Sequence, residues 1–112
     1  MTETRIPGNP LEFICRCVKQ RRVLWTYHVH MRLRNRSISR AEIFESVGTY
    51  EIIESYPDDK YLPSYLVWSR HHDEVMHILF ATDVNSDHVR IVTVYHPTPS
   101  EWSDDYKRRR KS

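Results

Sequence analysis

Ser64–Tyr95 reads SYLVWSRHHDEVMHILFATDVNSDHVRIVTVY, and this stretch decides the fold. Three runs rich in Val, Ile, Leu, Phe, Tyr and Trp (residues 64–69, 75–82 and 88–96) are separated by two polar clusters. The composition of such runs favours strands, and the clusters favour turns. His71-His72-Asp73-Glu74 predicts one hairpin turn. Asp83 to Asp87, with Asn85 and Ser86 inside it, predicts another. Consecutive strands on short turns make an antiparallel meander. A turn near Asn85 gives paired residues an even sum, near 170 or 172. His77 then lies beside Thr93 or Tyr95, on one face of the sheet with both.

Working back, Tyr50 to Tyr56 predicts a further strand, stopped by Pro57-Asp58-Asp59. Upstream the pattern is helical. Asn9-Pro10-Leu11-Glu12 holds an Asn cap and Pro at the first helical position, and the expected helix buries Leu11, Ile14, Cys15 and Val18. It is expected to end near Arg21 or Arg22, where cations suit the negative end of the dipole. Val23 to Tyr27 is a short strand or an extended connector. Residues 28–36 form a helix burying Val29 and Leu33. Ser39-Arg40-Ala41-Glu42 is a capping box, followed by core positions Ile43, Phe44 and Val47, and Gly48 suits the left-handed position beyond. Working forward, Thr98-Pro99-Ser100-Glu101 predicts a last helix, with Trp102 and Tyr106 docked on the sheet and Lys107 to Arg110 at its negative end. The expected architecture is α+β, with N-terminal helices and a C-terminal helix packed on a four-stranded antiparallel sheet. Residues 1–8 read as a flexible N-terminus, 9–110 as one domain and 107–112 as a basic tail.

With 112 residues the chain is long enough for one self-sufficient core. No apolar run reaches a membrane span and the first ten residues hold no secretory signal, so the expected location is the cytoplasm, with no membrane partner. Cys15 and Cys17 are two apart on a helix, about 200° around its axis, and neither chelate one metal nor pair. There is no phosphate-binding glycine loop, dinucleotide fingerprint, zinc-protease motif or nucleophile elbow. No metal and no cofactor are expected.

Charge is segregated. The net charge is +2, but residues 1–40 hold nine Lys/Arg against two acids. Residues 41–106 hold three against thirteen, and residues 107–112 hold five against none. One reading is a basic surface for a polyanion such as RNA, built from the first third and the tail. The other is internal ion pairing.

Two constellations could carry chemistry. His28-x-x-x-Arg32-x-x-x-Arg36 drifts only about 40° per step around a helix, and so forms one cationic stripe. Two guanidiniums and an imidazole suit a phosphodiester. The plainer alternative is that the arginines cap carbonyls or pair with acids. His77, Thr93 and Tyr95 form the second group, a polar trio within apolar strands, or else simply a satisfied half-buried histidine.

Taken in order, His28-x-x-x-Arg32-x-x-x-Arg36-x-Ile38-Ser39, Glu51-Ile52-Ile53-Glu54-x-Tyr56, His77, Ile91-Val92-Thr93-Val94-Tyr95-x-Pro97 and Trp102 resemble the bacterial domain-of-unknown-function four-two-five-eight family. The likeness runs from about Leu11 to Arg110. Ser37 stands where many members have Gly. That family is similar to small RNase toxins of the RelE, BrnT and MqsR type, often encoded beside antitoxins with a Cys-x-x-Cys zinc domain. The resemblance implies a RelE-like fold and a metal-independent endoribonuclease toxin with a zinc-binding antitoxin partner. Cleavage would proceed by attack of the ribose 2′-hydroxyl on phosphate. In that scheme His28 or His77 is the acid/base, Arg32 and Arg36 clamp phosphate, Thr93 and Tyr95 complete the centre, and Lys107, Arg108, Arg109 and Arg110 add RNA affinity. The competing expectation is a non-catalytic protein- or RNA-binding module.

Overall fold

The computed structural model describes residues 5–110. The first four residues of the expected flexible segment, and Lys111 and Ser112 of the basic tail, lie outside them. Helix α1 spans Pro10–Lys19, capped by the Asn9 side chain accepting from the Glu12 amide. Its inward face is Ile14, Cys17 and Val18, with Leu11 and Cys15 only half-buried. Val23–Leu24 is a strand, β1, of two residues. Helix α2 spans Tyr27–Asn35 behind a Thr26 cap and buries Val29 and Leu33, as their spacing predicts. Helix α3, Arg40–Glu45, follows a complete Ser39–Glu42 capping box.

A 3₁₀ turn over Ser46–Thr49 then leads into strand β2, Glu51–Tyr56. Gly48 lies inside this turn without a positive φ, so it is not the left-handed terminator. Left-handed backbone instead falls on Arg21 (φ 60°) and Ser37 (φ 54°). At the end of α1, the Arg21 and Arg22 amides donate to the Val18 and Cys17 carbonyls. At the end of α2, the Ser37 and Ile38 amides donate to Arg34 and Leu33. Both are complete Schellman closures built on a residue other than glycine.

Strands β3 (Ser64–His71), β4 (Glu74–Asp83) and β5 (His88–Tyr95) form the expected meander. The sheet is five-stranded, in order β1-β5-β4-β3-β2, and not four-stranded, because Val23 and Leu24 pair in parallel with Val89 and Arg90. The parallel pair makes the sheet mixed. Helices α1, α2 and α3 cover one face. Ile14, Val29, Leu33 and Ile43 pack there against Val67, Met76, Ile78, Phe80 and Val94 in one buried cluster. Strand alternation turns His77, Leu79 and Ala81 to the opposite face.

The predicted C-terminal helix does not form. After β5 the chain turns at Thr98–Trp102 and folds back on itself, with Trp102 bridged to Arg109 and the Arg110 amide donating to the Glu101 carbonyl. Local side chains outcompete the helix here. The Asp105 carboxylate accepts from the Ser103 hydroxyl (2.6 Å) and the Lys107 amide (3.0 Å), and Ser103 Oγ accepts from the Arg108 amide (3.2 Å). Ser and Asp at these spacings stabilise turns at the expense of helix. Residues 98–110 therefore form a strap across the face of the sheet that the helices leave open.

Candidate nucleic-acid interface

The α2 stripe forms as its spacing predicts. Thr26 starts the helix, Val29 and Leu33 anchor it in the core, and His28, Arg32 and Arg36 share one side. Arg32 Nε donates to His28 Nε2 at 2.7 Å. In that bond the Nε2 lone pair is the acceptor. Arg36 reaches the sheet, where its guanidinium donates to the Val94 carbonyl at 2.6 Å and covers the part of the β5 edge that β1 leaves unpaired.

Aromatic rings interleave with cations where α2 presents His30. The Arg21 guanidinium lies 3.9 Å from the Phe44 ring centre, Phe44 meets Trp25 edge-on at 5.8 Å, and the Arg40 guanidinium lies 4.6 Å from Trp25. Arg40 also approaches His30 Nδ1 at 3.4 Å. This ladder joins the end of α1, β1, α2 and α3. Its members are too scattered along the chain for spacing to reveal them, although the absence of any acid between Phe13 and Ala41 is visible in the sequence. Among the described residues, none of Lys19, Arg21, Arg32, Arg34, Arg36 and Arg40 pairs with a carboxylate; the pairs formed are those of Arg16 and Arg22 with Asp87, Arg70 with Asp73, Lys107 with Glu51, Arg109 with Glu54 and Arg110 with Asp104.

The second constellation also assembles, on the other face of the sheet. His77 pairs with Tyr95 across the strands, and Leu79 pairs with Thr93, an even register of 172. A bulge at Val92 then shifts the register for the rest of β5. His77 is fully buried. Its Nε2 donates to the Tyr106 carbonyl at 2.6 Å, Nδ1 lies 3.3 Å from the Tyr95 hydroxyl, and the Trp102 ring sits 4.3 Å away. Burial holds its pKa below the ordinary histidine value and raises that of Tyr95. Both ring nitrogens are occupied, and the strap seals the imidazole from solvent. Because α2 packs on the helical face, His77 and Tyr95 do not converge with His28 and Arg32. Thr93 is half-buried on the strap face.

Of the tail residues, three are engaged. Lys107 pairs with Glu51 at 2.7 Å and lies 4.5 Å from the Trp68 ring. Arg109 grips both oxygens of Glu54, at 2.6 and 3.1 Å, and holds that carboxyl below the usual range. Arg110 pairs with Asp104 at 3.0 Å. Arg108 is exposed. Glu51 and Glu54 are three apart, which strict alternation would place on opposite faces. A bulge at Ile53 brings both to the strap face. Spacing alone hides this latch, as it hides the packing of Trp102 on His77.

A groove of about 510 Å³ opens on the same side of the sheet as the strap, floored by Leu79 and Ala81. Among the described residues no group of three or more His, Cys, Asp or Glu side chains is placed to hold a metal ion, and Cys15 and Cys17 are free thiols. No helix among them is long and apolar enough to cross a membrane.

No curated protein and no solved structure matches this chain. A family model does, over residues 25–96, and that segment holds α2, the aromatic–cation ladder except Arg21, and all of the sheet except β1. The chain belongs to the family described as Domain of unknown function (DUF4258).

Proposed function

We propose that the protein is a binding module for single-stranded RNA, and that the α2 side of the molecule, from Lys19 to Arg40, is the surface that engages it. The observation that carries this reading is the set of six cations there with no carboxylate partner among the described residues, two of which, Arg21 and Arg40, lie over Phe44 and Trp25. Ion pairs within the protein engage Arg16, Arg22, Arg70, Lys107, Arg109 and Arg110, which leaves the α2-side cations without carboxylates among the described residues. Guanidiniums and aromatic rings together suit single strands, whose unstacked bases offer flat faces. Tyr27, 79% exposed at the start of α2, adds such a face. RNA as the partner places this work in the cytoplasm. The test is fluorescence anisotropy of a labelled single-stranded RNA at low salt with a chelator present. Wild type binds, and Arg32→Ala/Arg34→Ala binds at least about tenfold more weakly, since each lost phosphate contact removes its share of counterion release. Equal affinity in the double variant would overturn the reading.

A second reading is supported by the His28–Arg32 bond. The imidazole becomes a general base when the Arg32 guanidinium turns from Nε2 to a phosphate, which frees the Nε2 lone pair for the proton that 2′-hydroxyl attack on phosphate releases. In this reading the protein is an endoribonuclease toxin with a RelE-like fold, neutralised by a zinc-binding antitoxin. Helices on one face of a mostly antiparallel sheet support it. His28 is then the base, and His77 supports the fold from beneath the strap. Incubation of RNA with the protein and a chelator separates the readings. Products ending in 2′,3′-cyclic phosphate, lost in His28→Ala, favour the enzyme; intact RNA that stays bound favours the module.

A further inference from the structure

We infer that the groove beside the strap is a nucleotide pocket, taking one unstacked base and its phosphate from the strand that α2 binds. The inference rests on the RNA-binding reading and adds a site to it. Leu79 and Ala81 supply an apolar floor, and Val92, the bulged residue of β5, lines one wall. Tyr61, 83% exposed on the loop opposite, supplies an aromatic face for the other side of a base. Arg90 and Lys60 stand at the rim, and among the described residues neither pairs with a carboxylate. The one acid in the lining, Asp59, already accepts the Ser64 hydroxyl with Oδ2. Its other oxygen can accept an exocyclic amine, which uracil lacks. A cavity of about 510 Å³ lies within the ordinary range for small-ligand sites.

Position ties the groove to the strand. Thr26 both caps α2 through the Val29 amide and lines the groove. The cavity therefore opens at the N-terminal end of the cationic stripe, next to exposed Tyr27. A strand lying along Arg36, Arg32 and His28 reaches this end, where one nucleotide can leave the stack and enter. Apolar floor, exposed aromatic lid with Lys60 5.6 Å from its ring centre, and rim cations are the chemistry of a base with a phosphate attached.

The test uses the full chain and a short fluorescein-labelled oligoadenylate, with an abasic residue introduced at each position in turn. Tyr61→Ala and Arg90→Ala change exposed side chains and are expected to fold. Each weakens binding of the intact oligonucleotide by about tenfold, the loss typical of one stacked base. One abasic position weakens wild type by a similar factor, and at that position Tyr61→Ala costs nothing further. Unchanged affinity in both variants, or losses that simply add, overturns the pocket and leaves the α2 reading standing. Failure of wild type to bind any RNA overturns the α2 reading and the pocket with it.

Discussion

Ser37 shows how one residue can carry a backbone cost. It occupies the left-handed position of the Schellman closure after α2, with φ 54°, and the buried pair Leu33 and Ile38 completes the motif. A side chain with a Cβ is disfavoured there by about 1–2 kcal/mol relative to glycine. Glycine returns part of that as extra freedom in the unfolded chain. Ser37→Gly is therefore expected to stabilise the protein by about 0.5–1 kcal/mol, and Ser37→Val to destabilise it by at least as much, as read by urea denaturation. Arg21 occupies the same position after α1, but its guanidinium covers Phe44, so glycine there would forfeit a contact as well. At this scale the sequence is informative where a residue's role is local. Asn9 and Ser39 cap the helices they precede, as their motifs predict, and Thr26, read only as part of a strand or connector, caps α2. The even register expected from the turn places His77 beside Tyr95, but the turn itself sets an odd sum of 171, and it is the bulge at Val92, with no signal in the sequence, that gives 172 at His77. That both ring nitrogens of His77 would be occupied was not legible, because one partner is a backbone carbonyl of Tyr106 on a segment with no periodic pattern.

The strap is the element that sequence reasoning misassigned, and the reason is a competition between two local signals. Thr98-Pro99-Ser100-Glu101 has the residues of a helix start, and Trp102 and Tyr106 have helical spacing. Ser103 and Asp105 sit between them, and their side chains satisfy the amides of Lys107 and Arg108, which fixes a turn. The same residues that suited a helix dipole then serve as a latch: Lys107 and Arg109 meet Glu51 and Glu54, and Trp102 seals His77. The latch responds to pH in a definite sense. Burial lowers the pKa of folded His77 below its ordinary 6.5. As pH falls through that value the unfolded chain takes up the proton first, so stability declines until the lowered folded pKa is reached. Glu54 adds a second decline below its ordinary 4.5, because Arg109 lowers its folded pKa. Melting temperature measured against pH should thus fall in two stages. His77→Gln keeps a donor toward Tyr106 but does not titrate, so it should flatten the upper stage and leave the lower one. An unchanged upper stage in that variant would show that another group controls it.

At the scale of the whole molecule, the charge blocks in the sequence were visible but their use was not. Internal pairing, one of the two readings of them, describes much of the tail. In the tail block Lys107 and Arg109 close on acids of the sheet and Arg110 on Asp104 of the strap, while from Lys19 to Arg40 only Arg22 meets a carboxylate among the described residues. What separates the two is geometry. The bulge at Ile53 collects two acids on the face where the strap runs, whereas α2 packs on the opposite face, next to core rather than to acidic strands. This division predicts distinct salt responses. Single strands release about 0.7 counterion per phosphate neutralised, so the six cations on the α2 side give log affinity against log salt a slope of about −4. Arg34→Ala/Arg40→Ala should shallow that slope by about 1.4, through the loss of two phosphate contacts. Lys107→Ala/Arg109→Ala should leave it nearly unchanged and instead lower the melting temperature, because those charges are occupied by Glu51 and Glu54. A slope that shallows equally in both pairs would mean that the strap leaves the sheet to meet RNA, and that the tail and α2 form one continuous binding surface.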